Sequence, residues 1–408
     1  MSRSFDVAIV GAGPAGLAAA LALGRRGASV CVVDRAEHVG GLCVTRGENG
    51  ARYDVGGHVL FVRSSERQRW LERLLDGDLL WVDRPVSSVQ RGGIVPGRYL
   101  DHAAGSGGPP ARPDQGGAAY LDAMDGPGSE VARAYLEKID GAALEDIPAV
   151  RVERLLVGQS APDGFFYPRN GIGQLMLAMA REVRSCGGTV MVGTAVEAID
   201  VGGARTRGLV VRGPDGSAPI ATGRVIVAVP VGHAAQLALP KAPASATPDL
   251  RMRAVCIVYL AIDADRLSPE PWVQVDDARV PFARLFEPVN WSPSLTRPGR
   301  TIVGCECYCH GDSGDPIWGQ DDASLGRLCA TRLHDPLGLI ERPDDAELVE
   351  VVRIPRAYPI ASVAEMALAS EPARWLAGVA GIELAQGGAV IEAFEAGEAA
   401  AGRALAAL

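Results

Sequence analysis

The sequence predicts an α/β protein in which a parallel-sheet domain, assembled from separated stretches of chain, carries a second domain of antiparallel sheet and helices. Three observations predict it. The chain opens with VAIVGAGPAGLAAALALGRRGASVCVVD, which reads as apolar run, glycine turn, small-residue helix, apolar run and acid. Residues from about 251 to 360 alternate apolar strands with turns, as in RAVCIVYLAID and TIVGCECYCH. The last stretch, GVAGIELAQGGAVIEAF, again sets a glycine pair before an apolar helix.

In the opening unit each residue type has a mechanical part. Val7 to Val10 is a strand and Gly11 permits the sharp turn off it. Gly13 has no Cβ, so a pyrophosphate can approach the backbone, and Gly16 lets the helix begun by Pro14 and Ala15 lie close to the sheet. That helix aims its free N–H groups and its positive dipole end at an anion. Asp34 ends the second strand, Val30 to Val33, where a carboxylate accepts hydrogen bonds from ribose hydroxyls and repels a 2′-phosphate; Arg35 follows it. Strand, glycine turn, helix, strand and acid in this order form the Rossmann-like dinucleotide-binding unit.

Beyond Asp34 stand a second glycine pair, Gly40-Gly41, then Leu42 and Thr45, and later Tyr53-Asp54-Val55-Gly56-Gly57-His58. The string GGLCVTRGENGARYDVGGHVLF resembles the "GGLxxT … D-x-GGH-x-F" signature of the FAD family that includes protoporphyrinogen oxidase, phytoene desaturase, amine oxidases and UDP-galactopyranose mutase. The resemblance implies FAD as cofactor and an FAD domain of the three-layer ββα (GR2) type. It places Gly56, Gly57 and His58 beside the flavin ring; a structural loop histidine is the plain alternative for His58.

Composition narrows the function. The chain has 408 residues, formal net charge −9, 48% hydrophobic and 22% charged residues, which suits a globular protein and makes a nucleic-acid partner a poor fit. No apolar run of 18 residues occurs, so a transmembrane segment is not expected. The apolar start is read as the phosphate turn and its helix, and a signal peptide is rejected. Eight cysteines without paired spacing suit a reducing cytoplasm.

Along the chain, residues 1–62, 181–235 and 361–408 are expected to form a discontinuous FAD domain, and 63–180 and 236–360 the substrate domain. Residues 86–128 (RGGIVPGR, GSGGPPARPDQGG, DGPGSE) read as a flexible loop or lid. The resemblance implies that Val196 binds the adenine through its backbone and that Ala228 to Pro230 return the chain to the dinucleotide. It also implies that Gly388, Ala389 and Val390 open a helix whose N-terminus faces the flavin. The family's C-terminal "AGR" is read at Ala377-Gly378-Val379, which makes Gly378 a cofactor contact and loses the arginine.

In TIVGCECYCH, period-two alternation puts Cys305, Cys307 and Cys309 on one face and Glu306, Tyr308 and His310 on the other. Same-face cysteines lie about 7 Å apart on an extended strand, too far for a shared metal, and read as small buried hydrophobes. Glu306 aligns with an acidic position in the family's sheet. The Glu–Tyr–His row is either a substrate-facing set or a solvent-facing polar face. Trp272, Arg284, Asn290 and Tyr358 are further pocket candidates, with core packing the plain alternative. His58, Arg284, Glu306, Tyr308 and Tyr358 are the expected catalytic set, and no metal is expected. No lysine follows Lys241, which weakens an amine oxidase reading.

The expected function is a soluble FAD-dependent oxidoreductase, in biosynthetic metabolism, that takes a hydride from a small-molecule substrate, with oxygen a candidate acceptor. A redox-neutral mutase or isomerase and a non-catalytic nucleotide-binding relative are the alternatives.

Overall fold

A strand with no polar residue on either face needs cover on both. Val7–Val10 (VAIV) and Val30–Val33 (VCVV) are such strands, and all eight residues are buried. The computed structural model describes residues 3–48, 50–83, 87–90, 93–96, 110–112, 114–124, 129–156, 164–239, 242–243, 252–359 and 366–408. The strands that place the site are β1 (Val7–Val10), β2 (Val30–Val33), β3 (Ser87–Gln90), β4 (Gly93–Pro96), β5 (Thr189–Met191), β6 (Val225–Val227), β7 (Met252–Ile262), β8 (Val273–Val275), β9 (Arg284–Phe286), β10 (Thr301–His310), β11 (Ala346–Pro359) and β12 (Ile382–Leu384). The helices are α1 (Pro14–Gly24), α2 (Ser65–Leu74), α3 (Gly117–Asp122), α4 (Ser129–Asp140), α5 (Ala149–Leu156), α6 (Ile172–Ser185), α7 (Val231–Leu237), α8 (Asp322–His334), α9 (Met366–Ala377) and α10 (Val390–Leu405).

The first sheet runs β5-β2-β1-β6-β12 with every pair parallel. Three distant stretches of chain meet in it. Val7 and Ile9 face a helical layer in which α1, α6 and α10 bury their apolar sides. Ala8 and Val10 face a covering sheet built on the antiparallel strands Ala195–Gly202, Arg205–Gly213 and Gly216–Ala221. The domain is therefore helix on parallel sheet on β-sheet, a three-layer ββα arrangement. Small residues let its layers close: a Cβ on Gly397 of α10 would stand 2.1 Å from the Ala15 carbonyl of α1.

The second sheet runs β11-β7-β10-β9-β8-β3-β4, antiparallel except for β8 against β3. One face packs on α8: Cys256, Cys305, Cys307, Cys309 and Cys329 are buried there among aliphatic side chains. The other face, with Val255, Ile257, Tyr259 and Phe286, turns toward the Tyr53–Val59 loop.

The structure corrects two expectations. Residues 87–90 and 93–96, read as loop or lid, form a hairpin that extends the second sheet, because the edge of β8 offers its backbone groups to Ser87–Val89. Within the same stretch α3 buries Ala118, Tyr120 and Leu121. The parts of 86–128 at 86, 91–92, 97–109, 113 and 125–128 lie outside the described residues. The expected boundary at 180/181 falls inside α6, whose buried residues from Ile172 to Val183 all pack in the first domain's core. Likewise α2, beyond the boundary drawn at 62, packs Leu71 into that core, and its Arg67 holds Glu398 of α10 through two hydrogen bonds of 2.7 and 2.6 Å.

Candidate active site

The glycine turn is held by its own geometry. Gly11 has φ +104° and donates its N–H to Val33 at 2.8 Å; a Cβ there would stand 2.8 Å from the Ala228 carbonyl oxygen. A Cβ on Gly16 would stand 1.9 Å from the Gly11 carbonyl oxygen, so no larger residue lets α1 start here. Gly13 is different: its nearest neighbour would be Gly40 O at 4.0 Å. Open space above Gly13 is what a diphosphate needs. No side chain caps α1, which starts at Pro14 with Ala15 beneath α10, so its first-turn N–H groups have no side-chain acceptor. The second glycine loop docks on this turn through Gly40 N–H to Ala12 O at 2.8 Å, with Gly41 beside the Gly13 Cα.

Asp34 accepts from Ala12 N–H (2.7 Å) and Ala36 N–H (2.9 Å), which ties the turn to the end of β2. Each carboxylate oxygen keeps a lone pair for a ribose hydroxyl. The third segment leaves its strand at the same edge: Ala385 N–H and Gln386 Nε2 both reach Val227 O, next to Ala228. The ends of β1, β6 and β12 thus converge on one cleft. An anionic dinucleotide fits the residues present, and FAD fits the added Gly40–Gly41 loop.

The other expected contacts sort out as follows. Arg35 follows Asp34, and its charge helps push His233 down, after burial. Leu42 is nearly half exposed. Val196 pairs with Val211 in the covering sheet. Thr45 donates to Asp54 Oδ1 at 2.6 Å and accepts from Gly173 N–H at 2.9 Å, so its hydroxyl pins the loop to the start of α6. Gly388 and Ala389 precede α10, whose first residue is Val390, but both their N–H groups donate to Glu392 at 3.2 Å. Gly378 is a correction. It closes α9 by donating to Arg374 and Trp375 carbonyls, and lies before β12, at the end of the sheet away from the glycine turn. A glycine that stops a helix has the same letters as one that cradles a nucleotide.

The Gly56–His58 loop meets the second sheet. Gly56 (φ +85°) donates to Tyr259 Oη at 3.0 Å, and a Cβ there would touch Ile257, His58 Cε1 at 3.7 Å and Glu306 Oε1 at 4.0 Å. Gly57 leaves room for Trp272, whose Nε1 would be 3.0 Å from an added Cβ. The His58 ring is pushed down to about 4, by burial first and the Arg284 charge second, and is neutral at pH 7; its Nδ1 is buried without a partner.

Strand register assembles the rest. Gln274 pairs with Arg284, and Arg284 with Glu306, across β8, β9 and β10, so the three share one face. Arg284 Nε and Nη2 reach Glu306 Oε2 at 2.8 and 2.6 Å. Tyr308 donates to the same oxygen at 3.2 Å, and its ring lies 6.3 Å from Tyr358 in a stacked arrangement. Burial works against the Arg284 charge, but Glu306 overrides it and holds the guanidinium well above its ordinary value. Burial raises Tyr308 and Tyr358, and pushes Tyr135 of α4 up to about 12. The five expected catalytic side chains therefore gather around one face.

Glu306 is 3% exposed, so the solvent-facing alternative for this row fails. His310 leaves the row: it is exposed at the strand end, with its N–H on Asp315. Asn290 is a pin, donating to the Ser268 and Glu270 carbonyls. Sequence reasoning missed Gln274 and Tyr135. The signal for Gln274 was its setting in VQV, where alternation turns it away from two core valines.

Residues 129–353 match the family model of flavin containing amine oxidoreductases, and residues 9–76 match that of an NAD(P)-binding Rossmann-like domain. All-trans-retinol 13,14-reductase of Macaca fascicularis is 39% identical over 88 residues, which is 21% of this chain and 14% of the reductase's length. Reduced UDP-galactopyranose mutase superposes with TM-score 0.77 at 18% identity, covering 99% of this chain and 94% of the mutase. Putrescine oxidase bound to putrescine superposes with TM-score 0.68 at 17% identity, covering all of both chains. At these identities the two superpositions speak to fold alone.

Proposed function

This chain belongs to the flavin containing amine oxidoreductase family, and from that premise we propose that it is an FAD-dependent enzyme taking a hydride from a C–H bond of a small molecule held against Arg284, Glu306 and Tyr308. One observation supports the reading: the Gly40–Gly41 loop docked on the glycine turn runs through the Thr45–Arg46/Tyr53–Asp54 pair into Gly56–His58, and Gly56 lies against the buried polar row at Glu306. FAD, once bound, supplies the two-electron acceptor. The chain supplies the rest. Gly11, Gly13, Gly16 and the start of α1 hold the diphosphate, Asp34 the ribose, and Gly40–Gly41 closes over them. Gly56, Gly57 and His58 form the wall nearest the ring. Arg284 is fixed by Glu306, and Tyr308 and Tyr358 present flat faces and hydroxyls that stay protonated at neutral pH. Neutral His58, with Nδ1 buried and unmatched, offers the substrate a further hydrogen-bonding atom. Oxygen fits as the final acceptor in this reading.

The test is an absorption spectrum of protein supplied with FAD, followed by anaerobic mixing with candidate small molecules. Bleaching of the flavin band by one of them supports the reading. Failure to take up FAD refutes it, and turnover only after prior reduction replaces it with redox-neutral chemistry.

A further inference from the structure

Resting on that reading and narrowing it, we propose that Gln274 selects the substrate: the site takes an uncharged molecule that donates an O–H or N–H hydrogen bond to Gln274 Oε1. Gln274 is 5% exposed, and its Oε1 is buried with no hydrogen-bond partner. Buried polar atoms are almost always satisfied, so an orphan acceptor beside a substrate site marks the place of a missing donor. The amide donates to the Tyr135 hydroxyl oxygen from α4, and in that orientation Oε1 is the atom left without a donor. Register places it directly opposite Arg284 and one strand further from Glu306.

Most of the charge on this face is already met; Arg253, its other buried cation, donates to the Ile139, Lys138 and Tyr308 carbonyls. Glu306 faces Arg284 at 2.6 Å, and the tyrosines around the pair are neutral. The contacts of the pair all run to Glu306 Oε2, and the pair is neutral as a unit, so an ammonium added at Oε1 or a carboxylate added at Arg284 Nη1 would bring a net charge into a buried site. A neutral donor brings none. His58 Nδ1 is a second buried polar atom without a partner near the same pair, so a molecule with a second polar group can meet it as well.

Three ring compounds of one shape separate the possibilities: benzamide (neutral, donating), benzamidine (cationic) and benzoate (anionic). Each is titrated into the FAD-loaded full-length protein while the flavin spectrum is followed. Benzamide is expected to bind at least tenfold more tightly than the other two. Gln274→Leu is expected to erase that preference with FAD content unchanged. Gln274→Glu, which adds a negative charge and nearly keeps the shape, is expected to shift the preference to benzamidine. This second variant keeps the test open if Gln274→Leu does not fold. Preference for benzamidine or benzoate in the parent protein overturns the proposal; a benzoate preference would mean the amide presents its NH2. Equal binding, no spectral response to any of the three, or a benzamide preference surviving both variants also overturns it. Loss of FAD from the parent protein, by contrast, strikes at the proposed function itself.

Discussion

The Arg284–Glu306 pair makes an asymmetric prediction. Arg284→Met leaves Glu306, whose side chain is 4% exposed, without its counter-ion; Glu306→Gln leaves Arg284, whose side chain is 29% exposed and can reach water. Breaking a buried pair from the side that strands the deeper charge costs about 3–5 kcal/mol. Stranding a group that rehydrates costs about 1–3 kcal/mol. For 408 residues the unfolding entropy is about 0.9 kcal/mol per kelvin, so Arg284→Met should lower Tm by about 3–6 °C and Glu306→Gln by about 1–3 °C. The double variant should recover most of the loss, because no charge is left behind. Differential scanning calorimetry on the three variants and the parent reads all of this. Equal losses from the two single variants, or strict additivity in the double, would refute the argument that one deeply buried charge is held by one partner.

Three further outcomes follow from the same geometry. Gly13→Asp should fold, since the nearest atom to its new Cβ is 4.0 Å away, yet lose FAD affinity tenfold or more as its carboxylate meets the diphosphate; Gly16→Val, with backbone 1.9 Å from its Cβ, should fail to fold stably. Circular dichroism and flavin content separate the two. Asp54 is fully buried and pushed up to about 6, chiefly by burial and against hydrogen bonds from Thr45, Tyr167 and Ile172. Its folded value lies above the ordinary one of about 3.9, so its stabilising contribution is complete below about pH 4 and is lost as pH rises through about 6; Asp54→Asn should flatten that part of a urea-midpoint profile. Asp34→Ala removes two charge-assisted hydrogen bonds and should destabilise the apoprotein by about 2–4 kcal/mol, read by urea unfolding without FAD.

The first domain was legible because its signals are local. Gly11, Gly16 and Asp34 act within the first strand–turn–helix–strand unit: Gly16 meets the Gly11 carbonyl at 1.9 Å, Gly11 donates to Val33, and Asp34 accepts from Ala12; only the 2.8 Å approach of Gly11 to Ala228 is long-range. The cysteine face of β10 was legible for the same reason, since alternation alone puts three thiols on one side. Gly378 was misplaced because a motif letter does not say on which end of a strand it falls. The hairpin at 87–96 was missed because its stability comes from the open edge of β8, a partner that lies almost two hundred residues away in sequence.

What sequence could not supply was register. Gln274, Arg284 and Glu306 are separated by ten and twenty-two residues, and nothing in their spacing says that they are neighbours. One residue of slip between β9 and β10 would set Arg284 on the thiol side of the sheet and leave Glu306 buried alone. The two faces of β10 therefore depend on each other. The dry packing of Cys305, Cys307 and Cys309 against α8 fixes the register, and the register holds the carboxylate against its guanidinium. An enlarged thiol face should on this argument disturb the polar row from behind. Cys305→Leu, on the face packed against α8, is expected to weaken benzamide binding while FAD content stays at the parent level.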